Sequence, residues 1–242
     1  MQINFYKEEL IMKALVLSSG GVDSTTCVSI AVDRLGKENV ATVSIYYGQK
    51  HKKEIECARK VANYYGLKHY EFDLSSIMQY SNCSLLERST KEIKHESYAE
   101  QIAKNGEGKV ETYVPFRNGL ILSTVASLAQ SLFEDEECEI YLGAHADDSA
   151  GNAYADCSKE FTDTIGKAIN IGTYGLVHVV APLVELNKAG VVKLGLELGT
   201  PYELTWSCYE GGEKQCGKCG TCIDRKKAFE ANGVKDPVEY EE

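Results

Sequence analysis

The chain has 242 residues, 43% of them hydrophobic and 26% charged, and a formal net charge of −10 at pH 7. This suits a globular α/β domain with a small appendage. The negative balance argues against a general nucleic-acid binder, because phosphate repulsion opposes association, and favours a small-molecule substrate. No run approaches 18 apolar residues and residues 1–12 lack a signal-peptide pattern, so we expect no membrane span, no export and a cytoplasmic location.

Residues 1–12 read as a variable leader. Lys13–Leu17 is an apolar strand and Val22–Leu35 a helix ending near Gly36; Val40–Tyr46 is a second buried strand. Residues 52–65 form a helix stopped by Gly66, and Lys68–Asp73 a third strand. Between 75 and 112 the apolar period fades, and 88–109 reads as a lid or a solvated loop over the active-site face. Regularity returns with a helix over 118–133, a strand over 139–143, a helix over 161–171, a strand over 177–181 and a helix over 187–198, where Asn187 is a plausible N-cap. Strand–helix alternation of this kind predicts a doubly wound, mainly parallel five-stranded sheet, with ligands at the carboxyl ends of its strands.

The densest local signal follows the first strand: S-S-G-G-V-D-S-T-T-C, residues 18–27. A strand feeding a small-residue turn that opens a helix forms an anion cradle of free N–H groups, helix dipole and hydroxyls. The spacing is neither Walker A nor the dinucleotide fingerprint. It resembles the PP-loop of ATP pyrophosphatases, which hold the pyrophosphate of ATP; the alternative is a plain Gly-Ser turn. The expected nucleotide-binding set is Ser18, Ser19, Gly20, Gly21, Val22, Asp23, Ser24, Thr25, Thr26, Cys27 and Val28, with Asp23 available to Mg²⁺.

A second constellation lies near the end of the chain. Four of the nine cysteines, Cys208, Cys216, Cys219 and Cys222, are spaced C-x7-C-x2-C-x2-C. Four thiolates at this spacing close a tetrahedron around Zn²⁺ and leave no open position for water, which describes one structural ion per chain. Lys214, Lys218, Arg225, Lys226 and Lys227 are candidates to offset its charge. An iron–sulfur cluster is the rival, although its usual run differs at the fourth ligand.

Taken together, the chain resembles the 7-cyano-7-deazaguanine synthase (QueC) family. The carrying motifs are S-G-G-V-D-S-T-T-C at 19–27, Y-Y-G-Q-K-H at 46–51, Y-V-P-F-R-N-G at 113–119, G-A-H-A-D-D at 143–148, and P-Y-E-L-T-W-S-C-Y at 201–209 with the cysteines that follow. The resemblance implies an ATP-binding α/β domain over 13–200 and a zinc-binding helical segment over 201–242. It also implies ATP- and Mg²⁺-dependent conversion of 7-carboxy-7-deazaguanine and ammonia to the 7-cyano base, with a homodimer and no nucleic-acid partner. On this reading Asp23, Arg117 and Lys188 are catalytic, and Tyr47 and Gln49 join the nucleotide site. Arg117, Asn118, His145, Asp147 and Asp156 contact substrate, although Asn118 is equally a candidate helix cap. One stretch departs from the family pattern Y-P-D-C-R: residues 154–158 read Y-A-D-C-S. Competing readings are a PP-loop tRNA sulfur transferase and a related ATP-binding protein that acts with a partner.

Overall fold

A computed structural model describes residues 12–50, 52–93, 95–96, 100, 103–104, 106, 108 and 110–241. Five strands form one parallel sheet: β1 (Lys13–Leu17), β2 (Val40–Tyr46), β3 (Lys68–Asp73), β4 (Cys138–Tyr141) and β5 (Val177–Val180). Their spatial order is β3-β2-β1-β4-β5 and every neighbouring pair is parallel. The chain winds outward from β1 to β3, then returns to add β4 and β5 on the other side. The topological switch point therefore lies between β1 and β4, where such sheets bind ligands.

Both faces of the sheet are covered, and for this reason β1 reads as a continuous apolar run after Lys13, while β2 is buried along nearly its whole length although Thr42 and Ser44 interrupt its apolar residues. Alternation along β1 sends Leu15 and Leu17 to one core and Ala14 and Val16 to the other. The first core packs against α4 (Arg117–Phe133) through Leu122 and Val125, and against α6 (Lys159–Gly172) through Ile169. The second meets α1 (Val22–Leu35), α2 (Lys53–Tyr65), α7 (Lys188–Glu197) and α8 (Gly220–Ala231). Two short helices, α3 (Ser75–Met78) and α5 (Ala146–Ser149), sit at the carboxyl ends of β3 and β4.

The expected elements are present, with small shifts at their ends. Asn187 caps α7, its side chain accepting from Gly190 N at 2.8 Å. The helix expected from Asn118 begins instead at Arg117, with Phe116 in the left-handed region at φ 51°. Asn118 is not its cap. The backbone N–H of Asn118 donates to Asp156 Oδ2 at 2.9 Å, so a carboxylate from a distant loop satisfies that orphan donor. The leader at 1–11, and much of the segment expected to form a lid over 88–109, lie outside the described residues. No described helix is long and apolar enough to cross a membrane.

Candidate active site

The phosphate cradle forms because β1 runs into a turn that cannot carry side chains at Gly20. That residue has φ +76°, and a Cβ there would lie 2.6 Å from Ala58 N and 2.9 Å from Cys57 Cβ, with the Glu54 carbonyl oxygen closer still. The loop backbone is thus seated directly on the first turns of α2. Ser24 Oγ accepts from Ser19 N at 3.2 Å, tying the turn to α1. Among the described residues, Ser18 Oγ and Thr25 Oγ1 are buried without a hydrogen-bond partner. The orphaned Ser18 hydroxyl, beside free helix N–H groups, fits a bound polyanion.

Around the cradle lies a cavity of about 920 Å³. It takes in Ser18, Ser19, Gly21, Val22, Asp23 and Ser24 of the loop, but not Thr26, Cys27 or Val28. Those three are corrections to the sequence reading. Thr26 Oγ1 pairs with Tyr202 OH at 2.8 Å, while Cys27 and Val28 are fully buried in the second core. Gly20 and Thr25 lie behind the wall and shape the loop.

On one side of the cradle a charge cluster joins three elements. Lys188 Nζ, in the first turn of α7, meets Asp23 Oδ1 at 2.7 Å and Oδ2 at 2.6 Å. His145 Nε2, after β4, sits 3.4 Å from Lys188 Nζ, 3.4 Å from Asp148 Oδ1 and 3.8 Å from Asp23 Oδ2. Burial works to raise the Asp23 pKa, but Lys188 and His145 outweigh it and hold the carboxyl below its ordinary value. Burial pushes Asp148 up, and the nearby Asp23 charge adds to the rise. Asp147 Oδ2 accepts from Lys188 N at 2.7 Å, so it anchors the start of α7 while lining the cavity. Both Asp23 oxygens thus accept from the Lys188 ammonium.

On the other side lie Tyr47, Gln49 and Arg117. Arg117 Nη1 donates to Tyr47 OH at 3.3 Å, and its guanidinium carbon is 5.3 Å from the Tyr47 ring centroid. Burial pushes the Tyr47 phenol up to about 12 despite Arg117. Gln49 Oε1 accepts from Tyr47 N at 2.8 Å and fixes the strand end. Asn118 lines the cavity while donating to Asp156 O at 2.9 Å and Cys157 Sγ at 3.2 Å. Asp156 itself is buried behind Asn118 and off the cavity wall, where it positions that asparagine and does not reach a ligand. Ser158, the departure noted above, caps α6 by accepting from Phe161 N at 3.1 Å.

The four cysteines come together as expected. Cys208, Cys216, Cys219 and Cys222 are buried, and their sulfurs all lie within 4.8 Å of one another. Tetrahedral thiolate coordination at Zn–S of about 2.3 Å places sulfurs about 3.8 Å apart, and Cys216 Sγ and Cys222 Sγ are 4.0 Å apart. Backbone N–H groups of Glu210 and Cys216 point at Cys208 Sγ, and those of Lys218 and Cys219 at Cys216 Sγ, at 3.3–3.4 Å. Sulfurs that accept this many donors suit thiolates around a cation. The basic residues expected nearby are mostly engaged elsewhere. Arg225 is fully buried against Asp236, at 2.7 and 3.0 Å; Lys214 pairs with Glu239 at 3.0 Å; and Lys227 lines the cavity.

The knot also closes the site, which the sequence did not reveal. Trp206 N donates to Gly20 O at 2.9 Å and Trp206 Nε1 to Cys208 O at 2.7 Å, linking the phosphate loop to the first thiol. Ser207, Thr221, Asp224 and Lys227 consequently form a wall of the cavity, and Glu54 of α2 forms another. Ser207 and Thr221 lie within the motifs of the cysteine segment, but no local pattern assigns them, Asp224, Lys227 or Glu54 to this cavity; the return of the chain to Gly20 places the knot residues there.

A parallel sheet whose switch point carries S-G-G-V-D-S, with a carboxylate–lysine pair beside it, defines a PP-loop α/β protein. The family described as queuosine biosynthesis protein QueC matches residues 13–233. The 7-cyano-7-deazaguanine synthase of Caldicellulosiruptor saccharolyticus is 42% identical over 230 residues, 95% of this chain and 96% of that one. That of Archaeoglobus fulgidus is 41% identical over 228 residues, 94% of this chain and 90% of the other. The chain belongs to this family. Among solved structures, the NH3-dependent NAD synthetase of Campylobacter jejuni superposes with a TM-score of 0.47 at 14% identity, over 79% of this chain and 66% of that one.

Proposed function

We propose that the protein is a carbon–nitrogen ligase that uses ATP to convert 7-carboxy-7-deazaguanine and ammonia to 7-cyano-7-deazaguanine. The observation that carries this is the family match over nearly the whole chain, with the phosphate cradle and the Asp23–Lys188 pair intact within it. A carboxylate resists ammonia because oxide is a poor leaving group. On this reading a carboxylate oxygen attacks the α-phosphorus of ATP and pyrophosphate leaves. Ammonia then adds to the acyl carbon, loses a proton and expels AMP, giving the amide. Adenylation of the amide oxygen by a second ATP, followed by loss of AMP and the remaining N–H protons, gives the nitrile. The protein's work is positioning and charge neutralisation. The cradle holds the departing pyrophosphate, Lys188 faces its growing charge, and Arg117 offers a fork to the substrate carboxylate. Mg²⁺ accompanies ATP.

In the same proposal Zn²⁺ fills the four-cysteine centre, one per chain, and its chemistry is to lock residues 206–222 in place. The zinc-binding segment over 201–242 then serves the ATP-binding unit over 13–200 as a wall. A thiolate centre of this kind calls for a reducing compartment, in keeping with the cytoplasm. The acidic chain favours small-molecule substrates over nucleic acid, and the family resemblance favours a homodimer. The test is release of pyrophosphate from ATP that depends on added 7-carboxy-7-deazaguanine. The proposal expects base-dependent release in the wild type and its loss in Asp23→Asn. Release that ignores the base would overturn it.

A further inference from the structure

One carboxylate on the cavity wall has no task in the chemistry above. Glu54 lies in the first turn of α2, half-buried. Among the described residues no hydrogen-bond donor reaches its side chain, and no cationic nitrogen comes within the 4.0 Å of an ion pair. Arg117 acts on it through space but does not pair with it, and burial pushes its pKa up to about 7. The contact between Gly20 and the α2 backbone fixes its place relative to the phosphate cradle. Glu54 thus stands open on the same cavity wall as Arg117, whose Nη1 donates to Tyr47 OH, and the two do not form an ion pair. A half-buried charge left unpaired is costly unless a ligand completes it.

We propose that Glu54 reads the amide edge of the substrate base, its two carboxylate oxygens accepting the N1–H and the 2-amino group of a 7-deazaguanine. The assignment rests on the function proposed above and names its specificity determinant. A carboxylate offers only acceptors, and the guanine-type edge presents two neighbouring donors to match them. Adenine presents a donor beside an acceptor, so a carboxylate there would face the N1 lone pair. The same site therefore distinguishes the base that is to be modified from the base of the ATP that activates it. It also discriminates against hypoxanthine-type analogues, which lack the 2-amino donor and leave one buried acceptor unfilled.

The test is calorimetric binding of 7-carboxy-7-deazaguanine, of its 2-desamino analogue and of ATP to the wild type and to Glu54→Gln. The expected result is a loss of about 10- to 100-fold in affinity for the base in the variant, the scale of a charged hydrogen-bond pair, with ATP affinity unchanged. The wild type should bind the 2-desamino analogue about tenfold or more weakly than the full base, and the variant should distinguish the two far less. A variant that binds the base as the wild type does, or loses ATP affinity instead, overturns the role of Glu54. So does a wild type indifferent to the 2-amino group, a comparison that needs no variant to fold. A wild type that binds ATP but neither base overturns the parent function, so the two failures are distinguishable.

Discussion

Substituting Gly20 by alanine isolates the seating of the phosphate loop on α2. Two costs arise. The first is the left-handed backbone, φ +76°, worth about 1–2 kcal/mol for a residue with a Cβ. The second is steric, because the new methyl meets Ala58 N at 2.6 Å, Cys57 Cβ at 2.9 Å and the Glu54 carbonyl, and two of these three are backbone atoms that cannot rotate away. Overpacking of this kind costs about 1–3 kcal/mol, so the total is about 2–5 kcal/mol. For a chain of this size that corresponds to a fall in Tm of roughly 5–20 °C. Gly66 supplies the control: its φ is +70°, yet nothing lies within 4 Å of an added Cβ. Gly66→Ala should show the dihedral cost alone, roughly 2–8 °C. The assay is thermal melting of both variants with ATP titration. Gly20→Ala should melt lower than Gly66→Ala and bind ATP at least about tenfold more weakly, a loss of about 1.4 kcal/mol. Equal melting temperatures with ATP affinity intact would show that the loop does not depend on its seat against α2.

Removing one partner of the buried Arg225–Asp236 pair should be severe: Asp236→Ala is expected to cost about 3–5 kcal/mol in denaturant unfolding, because Arg225 is fully buried. The Glu54 carboxyl, raised from 4.5 to about 7 in the folded protein, binds its proton more tightly when folded than unfolded. Its contribution to stability is full below pH 4.5 and lost as pH rises through about 7. The Tm of the wild type relative to Glu54→Gln should therefore fall across that window, and a flat difference would contradict the burial. Metal analysis should find one zinc per chain and no iron in a colourless protein. Stripping the metal should release the wall that Trp206 ties to Gly20 and weaken ATP binding; unchanged ATP affinity in metal-free protein would show that the knot does not support the loop.

Much of the scaffold was legible because its signals are local. β1 is buried on both faces, so its apolar run marks its bounds without reference to the rest of the chain, and β2 carries enough buried Val, Ala and Ile to stand out in spite of Thr42 and Ser44. The phosphate loop and the cysteine knot are likewise compact motifs whose chemistry follows from spacing. What failed was the extension of the loop into α1. A helix turns about 100° and rises about 1.5 Å per residue, so Thr26 and Cys27 rotate away from the cradle and Val28, back on the face of Ser24, lies a full turn below it; all three are buried. Asn118 was open to reading as a cap because Asp156, the real acceptor of its N–H, lies 38 residues away. Glu54, in K-K-E-I-E-C, reads as one more charge on an amphipathic helix. Its place in the cavity depends on the packing of α2 under Gly20, and that of Asp224 and Lys227 on the Trp206–Gly20 bond, neither of which a local pattern records.

The most direct measurement follows the base itself. Purified protein is incubated with 7-carboxy-7-deazaguanine, ATP, Mg²⁺ and isotopically labelled ammonium, and the products are read by mass spectrometry. The expected result is consumption of the acid, a nitrile product that carries the labelled nitrogen, and AMP with pyrophosphate in place of ADP. Unconsumed acid in a protein that binds ATP normally would contradict it.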